Sequence, residues 1–121
     1  MKVRSLVRWL IRVIFGRPKQ DVRNLGIMAW TRSGGGSEAH LSALLKKLPR
    51  EIRQETESDV RAVTVSVNRF MSDSSEKDRL HMPVFLPALS VHLKMDFPWI
   101  SDRAFASLET YCKWMAWHEG L

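Results

Sequence analysis

Residues 60–70, VRAVTVSVNRF, constrain the fold most, because they fit two secondary-structure periods at once. The spacing of Val60, Val63 and Val67 would place apolar side chains on one face of a helix. Val63, Val65 and Val67 also alternate with polar residues, as in a half-buried strand. Because β-branched residues lose side-chain freedom in a helix and pack well on a pleated surface, the composition favours a strand.

A second segment, residues 87–95, supports a sheet. Its apolar and polar side chains alternate, and the apolar ones are Leu89, Val91, Leu93 and Met95. Strict alternation predicts a strand that would pair in antiparallel with residues 60–70. We therefore expect an α+β fold, in which a small antiparallel sheet is packed with N-terminal, central and C-terminal helices. An all-α fold is the alternative, and residues 60–70 decide between the two.

Glycine, proline and capping residues indicate where helices begin and end. Gly16 and Pro18 would end a helix over residues 2–15, because glycine is a common helix stop and proline cannot continue a helix. Ser37 and Ser101 are suitable N-caps for a central and a C-terminal helix. Two shorter predictions are a buried strand over residues 24–32 and a short exposed helix over residues 50–58. The C-terminal helix would bury Phe105, Leu108, Cys112 and Met115.

The positive charge lies in the first third of the chain. Residues 1–36 carry eight basic side chains and one acidic side chain, whereas residues 37–121 carry eleven basic and twelve acidic ones. The net charge of +6 therefore belongs to the N-terminal part, which points to an anionic partner. We expect two units: a basic amphipathic N-terminal helix over residues 1–19 and a single compact domain over residues 20–121.

The predicted N-terminal helix has two different sides. Arg4, Arg8 and Arg12 recur every fourth residue and share one face. The anion-binding set is predicted to comprise Arg4, Arg8, Arg12, Arg17, Lys19 and Arg23. The opposite, apolar face carries Leu6, Trp9, Leu10 and Val13. Such a helix suits a membrane interface or a partner groove, a nucleic-acid backbone, or packing on the chain's own domain with solvated arginines.

Aromatic side chains mark the C-terminal helix as a second candidate site. They are Trp99, Tyr111, Trp114 and Trp117. An apolar face wider than a small core needs indicates a surface for another protein or for a homo-oligomer. The alternative is that the N-terminal helix covers this face.

The chain lacks the residue patterns of common catalytic and metal sites. Its four histidines are scattered, and no phosphate-binding loop follows the glycine run at residues 34–36. Cys112 lies on the predicted core stripe, six residues from His118 on the same helix, which is typical of an inert thiol. We therefore expect no enzyme activity, metal, cofactor or small-molecule substrate.

Together these features predict a non-enzymatic accessory or adaptor protein, such as a matrix-type protein of a virus or an organelle complex. Residues 1–36 would engage an anionic membrane surface or nucleic acid, and the C-terminal helix another protein. The alternative function is a nucleic-acid-binding regulator or ribonucleoprotein component. No run of about 20 apolar residues predicts a spanning helix. We expect a cytoplasmic protein at the membrane periphery, with import into an organelle as the alternative.

Overall fold

The structure, a computed structural model, describes residues 21–32, 35–74, 78 and 81–118. These residues form five helices: α1 (Val22–Trp30), α2 (Glu38–Lys46), α3 (Arg50–Asp73), α4 (Met82–Asp96) and α5 (Asp102–His118). This part of the chain contains no β-strand, so the predicted α+β fold is wrong and the all-α alternative is confirmed. The predicted helix over residues 2–15 lies outside the described residues.

Residues 60–70 form part of α3 and not a strand. Val60, Val63 and Val67 are buried, whereas Val65 is exposed, so the helical spacing was the correct pattern. Burying one valine side chain stabilises the fold by about 1.5 kcal/mol or more. The helix-propensity cost of a β-branched residue is only about 0.5 kcal/mol. Packing therefore outweighs the intrinsic preference that suggested a strand.

Residues 87–95 are also helical, within α4. Leu89 and Leu93 are buried, whereas Val91 and Met95 are exposed. Two residues turn a helix by about 200°, so alternating apolar positions fall on opposite sides of it. The pattern that resembles a half-buried strand is therefore a helix with two apolar sides.

Proline does not prevent α4 from forming. Pro83 lies in its first turn, where a backbone N–H has no helical acceptor. Pro87 lies one turn later and leaves only the carbonyl of Pro83 without a helical donor. Both prolines are exposed, so water can satisfy that carbonyl.

The other helices begin at capping residues. Asp21 caps α1 by accepting a hydrogen bond from the backbone N–H of Arg23. Because α1 spans Val22–Trp30, the predicted strand over residues 24–32 is wrong. The predicted caps are confirmed: Ser37 accepts from the backbone N–H of His40, and Ser101 from that of Ala104. The predicted short exposed helix over residues 50–58 is the first part of α3 and is anchored in the core.

The core lies where α1 packs against α2, α3 and α5, and α4 closes it by packing on α3 and α5. A Cβ atom on Gly26 of α1 would lie 2.7 Å from Cγ2 of Val60, so glycine permits the close approach of α1 and α3. Among the described residues, the apolar side chains that are at most 1% exposed are Ile27, Leu41, Val60, Val63, Val67, Leu89, Leu93, Ala104, Leu108 and Cys112.

Candidate functional site

The predicted anion-binding residues fall almost wholly outside the described part of the chain. Arg4, Arg8, Arg12, Arg17 and Lys19 lie there, as do the apolar residues Leu6, Trp9, Leu10 and Val13. Arg23 is described and belongs to α1. It is the one member of the predicted set that lies within the described residues.

Arg23 is held by groups of the same chain. Its guanidinium forms ion pairs with Asp21 and, at 3.3 Å, with Asp59 of α3. It also lies 4.1 Å from the centre of the Trp99 ring. Burial opposes the charge, but hydrogen bonds and charge interactions with both carboxylates outweigh burial and raise the pKa of Arg23. Arg23 therefore joins α1, α3 and the α4–α5 turn and is not free for an external anion.

The predicted aromatic contact surface is divided between the core and the surface. Tyr111 is buried, donates a hydrogen bond to Oδ1 of Asn68 at 2.5 Å and lies 4.6 Å from the Trp30 ring centre. Trp99 is half-buried between Arg23 and Phe97. These two aromatic residues hold helices together.

The remaining two aromatic residues lie near the C-terminal end of α5. Trp114 is half-buried and stacks on the His118 ring with the centres 4.3 Å apart. Trp117 is 81% exposed and contacts His118 only through a ring edge. Of the predicted contact set, Trp117 presents the most surface to solvent.

The described residues hold no cluster of metal-ligating side chains. Cys112 is buried, and burial followed by the charge of Glu109 raises its thiol pKa to about 12. A thiol with so high a pKa stays protonated at neutral pH and is a poor nucleophile.

A serine–histidine contact between two helices was not anticipated from the sequence. Oγ of Ser66 lies 3.0 Å from Nε2 of His92, where α3 and α4 meet. Such a pair could resemble a nucleophile and its base, but a catalytic site also needs a group that orients the histidine. The described contacts of His92 are this bond and a ring contact with Phe70 at 5.0 Å. The pair therefore links α3 to α4.

Exposed apolar side chains are concentrated on α3 and α4. Within the described residues, five large hydrophobic side chains are more than half exposed: Val65 (54%), Val84 (57%), Val91 (63%), Met95 (80%) and Trp117 (81%). All except Trp117 belong to this helix pair. Ala62 of α3 and Ala88 of α4 are exposed as well.

These side chains point to the same side of the helix pair. The contacts of Ser66 with His92 and of Phe70 with Phe85 define the line along which α3 meets α4. Each residue advances a helix by about 100°, which fixes the direction of every side chain relative to that line. On both helices the core residues lie on one side of the line and the exposed apolar residues lie on the other. We call this surface the outer face. It comprises Ala62, Val65, Val84, Ala88, Val91 and Met95, with the exposed cation Arg69 of α3 beside them. Lys94 of α4 lines the smaller cavity on the other side of that helix.

A groove follows the other side of α4, where it faces α5. Its larger cavity, of about 430 Å³, is lined by Met82, Leu86, Phe105 and Lys113 among others. A smaller cavity, of about 210 Å³, reaches the α4–α5 turn and is lined by Ile100 and Asp102 among others. Ser90, Phe105 and Glu109 line both cavities. We call this continuous recess the α4–α5 groove.

The sequence contained a signal for the outer face. Val84, Ala88, Val91 and Met95 recur at steps of four, three and four residues, which is helical spacing. The alternating pattern of residues 87–95 concealed this stripe, because it assigned Val91 and Met95 to the same side as Leu89 and Leu93. The groove had no comparable signal, because it depends on how α4 and α5 diverge.

No helix in the described ranges is both long enough and apolar enough to cross a bilayer. No family model, curated protein or solved structure matches the chain.

Proposed function

We propose that this chain is a non-enzymatic accessory protein that binds an anionic membrane surface at the periphery, with its outer face against the lipid. The outer face is the observation that carries the proposal. It combines exposed apolar side chains on two adjacent helices with an exposed cation, Arg69, on α3.

This composition suits the boundary between lipid headgroups and acyl chains. Val84, Val91 and Met95 would enter the boundary, while Arg69 extends towards lipid phosphates. Each side chain that is half transferred from water contributes about 1 kcal/mol. Each cation near an anionic surface contributes about 1 kcal/mol more. The sum supports reversible binding.

The basic N-terminal part of the chain supplies a second element. Arg4, Arg8 and Arg12 are predicted to share one helical face, and residues 1–36 hold the chain's excess positive charge. One weak element gives only marginal membrane binding, whereas two acting together are far stronger. We therefore assign the predicted N-terminal helix to the same lipid surface.

The outer face favours lipid over nucleic acid as the anionic partner. A nucleic-acid backbone is bound mainly by cations and hydrogen-bond donors. Exposed Val84, Val91 and Met95 would add little to such binding. At a lipid surface the same side chains contribute directly.

The test is co-sedimentation of the full chain with vesicles of phosphatidylcholine, with and without phosphatidylserine. We expect binding to the anionic vesicles. The variant Val84→Gln, Val91→Gln, Met95→Gln should bind about 100-fold more weakly, since it loses about 1 kcal/mol at each position. Glutamine is a good helix former, so α4 should remain folded.

Trp117→Gln is the matched control, because it removes an equally exposed apolar side chain from outside the outer face. It should leave vesicle binding within about twofold of wild type, a change of less than 0.5 kcal/mol. Equal losses in the two variants, or no binding by the wild type, would refute the proposal. A mobility shift with nucleic acid that persists in the triple variant would favour the alternative function.

A further inference from the structure

We infer that the α4–α5 groove holds the apolar side of the chain's own N-terminal segment, residues 2–15. The occupant is argued from where the described chain begins, from the length of the segment and from the chemistry of its two sides. This docking does not depend on lipid binding.

The described chain begins beside the near end of the groove. Asn24, in the first turn of α1, donates a hydrogen bond from Nδ2 to the Trp99 carbonyl at 3.1 Å. Its Oδ1 accepts one from the Ser101 backbone N–H at 3.0 Å. Ile100 and Asp102, on either side of Ser101, line the smaller cavity. The preceding residues therefore join the domain close to an apolar recess.

The lengths agree. Residues 16–20 are five residues long and can reach at most about 17 Å, enough to turn the chain back along the domain. The groove follows α5 from Asp102 to Lys113, a helical length of about 17 Å. Residues 2–15 would span about 21 Å as a helix. A helix of that length covers the groove from end to end.

The apolar lining of the groove matches the apolar face of the N-terminal segment. Met82, Leu86 and Phe105 line the groove and are also packed against the core, so its apolar lining rests on the folded domain. The segment's apolar face is the wide one that carries Trp9 and Leu10. A 14-residue helix is marginal alone in water, so it gains stability mainly by burying such a face.

Docking also fixes where the arginines point. Arg4, Arg8 and Arg12 lie on the side opposite Leu6 and Leu10. With the apolar side in the groove, the arginines face away from the domain along the flank of α4. They would then lie exposed over the α4–α5 groove.

The test is disulfide formation in the full chain. Ser90 lines both cavities, so Ser90→Cys reports on the middle of the groove. It is combined with Leu10→Cys on the apolar side of the segment, or with Arg8→Cys on the opposite side as the matched control. The native Cys112 is buried and its pKa is raised to about 12, so it should not compete for exchange.

We expect the Leu10→Cys, Ser90→Cys pair to close within the monomer at least about ten times faster than the Arg8→Cys, Ser90→Cys pair, because a disulfide requires Cα atoms within about 7 Å. Trp9→Gln in the first background should slow closure, since it removes an apolar anchor without touching the described domain. Equal rates for the two pairs, or no effect of Trp9→Gln, would overturn the inference.

Mixing the two single-cysteine variants distinguishes this chain from a second copy. Cross-linked dimers that form from the mixture as fast as the monomer closes would place a neighbouring copy in the groove and overturn docking within one chain. Loss of vesicle binding with intact cross-linking would reject the proposed function alone. Intact vesicle binding without selective cross-linking would reject the docking alone.

Discussion

The assembly of α1, α3 and α5 differs from α4 in how it is held. Polar contacts tie the first region together: Arg23 pairs with Asp59, and Tyr111 donates to Asn68. The described contacts that hold α4 are largely apolar, with the bond between Ser66 and His92 at one seam. Helix α4 is attached to the core by apolar contacts on one side and is also apolar on the opposite side. It therefore carries more apolar surface than the fold buries.

The comparison shows that burial in the core explains only about half of the apolar residues of α4. Leu89 and Leu93 serve the fold, whereas Val91 and Met95 do not. On α3, by contrast, the apolar residues are mostly buried and Val65 is the main exception. Among the described residues, the exposed large apolar side chains other than Trp117 are therefore confined to α3 and α4, which is the pattern expected of a binding face.

The largest expected effect divides the two sides of α4. Leu89→Ala should lower the free energy of unfolding by about 2–5 kcal/mol, since it leaves a cavity in the core. Val91→Ala should change it by less than about 0.5 kcal/mol, because the side chain is exposed. Urea denaturation followed by circular dichroism measures both. Similar losses in the two variants would mean that both sides of α4 are buried.

The second prediction compares two arginines. Arg23→Gln should cost about 2 kcal/mol, because it leaves two half-buried carboxylates without their partner. Arg61 pairs with Glu38 on the surface, so Arg61→Gln should cost at most about 0.5 kcal/mol. The Arg61 effect should also vanish in high salt, whereas most of the Arg23 effect should remain. If the two variants lose equal stability, Arg23 is not the tie described above.

The third prediction is an effect confined to alkaline pH and concerns the buried thiol of Cys112 in α5. Cys112 has a raised pKa in the folded protein, so the folded state retains its proton where the unfolded state loses it. Stability should therefore fall as pH rises from 9 towards 12, by up to about 1.4 kcal/mol per pH unit from this group. The same titration of Cys112→Ala isolates the effect, since the variant should lose less stability over that range. Parallel pH profiles would show that the thiol does not contribute.

Local features of the fold were predictable from sequence, and the class was not. Ser37 and Ser101 cap helices as predicted, because a cap depends only on neighbouring residues. The sheet prediction failed because residues 60–70 and 87–95 each fit two periods, and tertiary packing chose between them. The helical spacing of Val84, Ala88, Val91 and Met95 indicates the part of the outer face that lies on α4.

The rest of the candidate surfaces depends on three-dimensional arrangement. Nothing in the sequence shows that Val65 and Val91 open to the same side, because that follows from the contact between Ser66 and His92. Nor does it show that Arg23 is taken up by Asp59, 36 residues away in the chain. Charge counts located the basic region but could not separate a structural arginine from a free one.

The contact between the outer face and lipid is tested most directly by nitroxide spin labels at Val91→Cys and Trp117→Cys in the full chain. With anionic vesicles, the label at position 91 should collide more often with oxygen, which concentrates in lipid, and less often with a water-soluble relaxation agent. The label at position 117 should keep its aqueous values. Aqueous values at both positions, in a sample shown by sedimentation to be bound, would contradict the account.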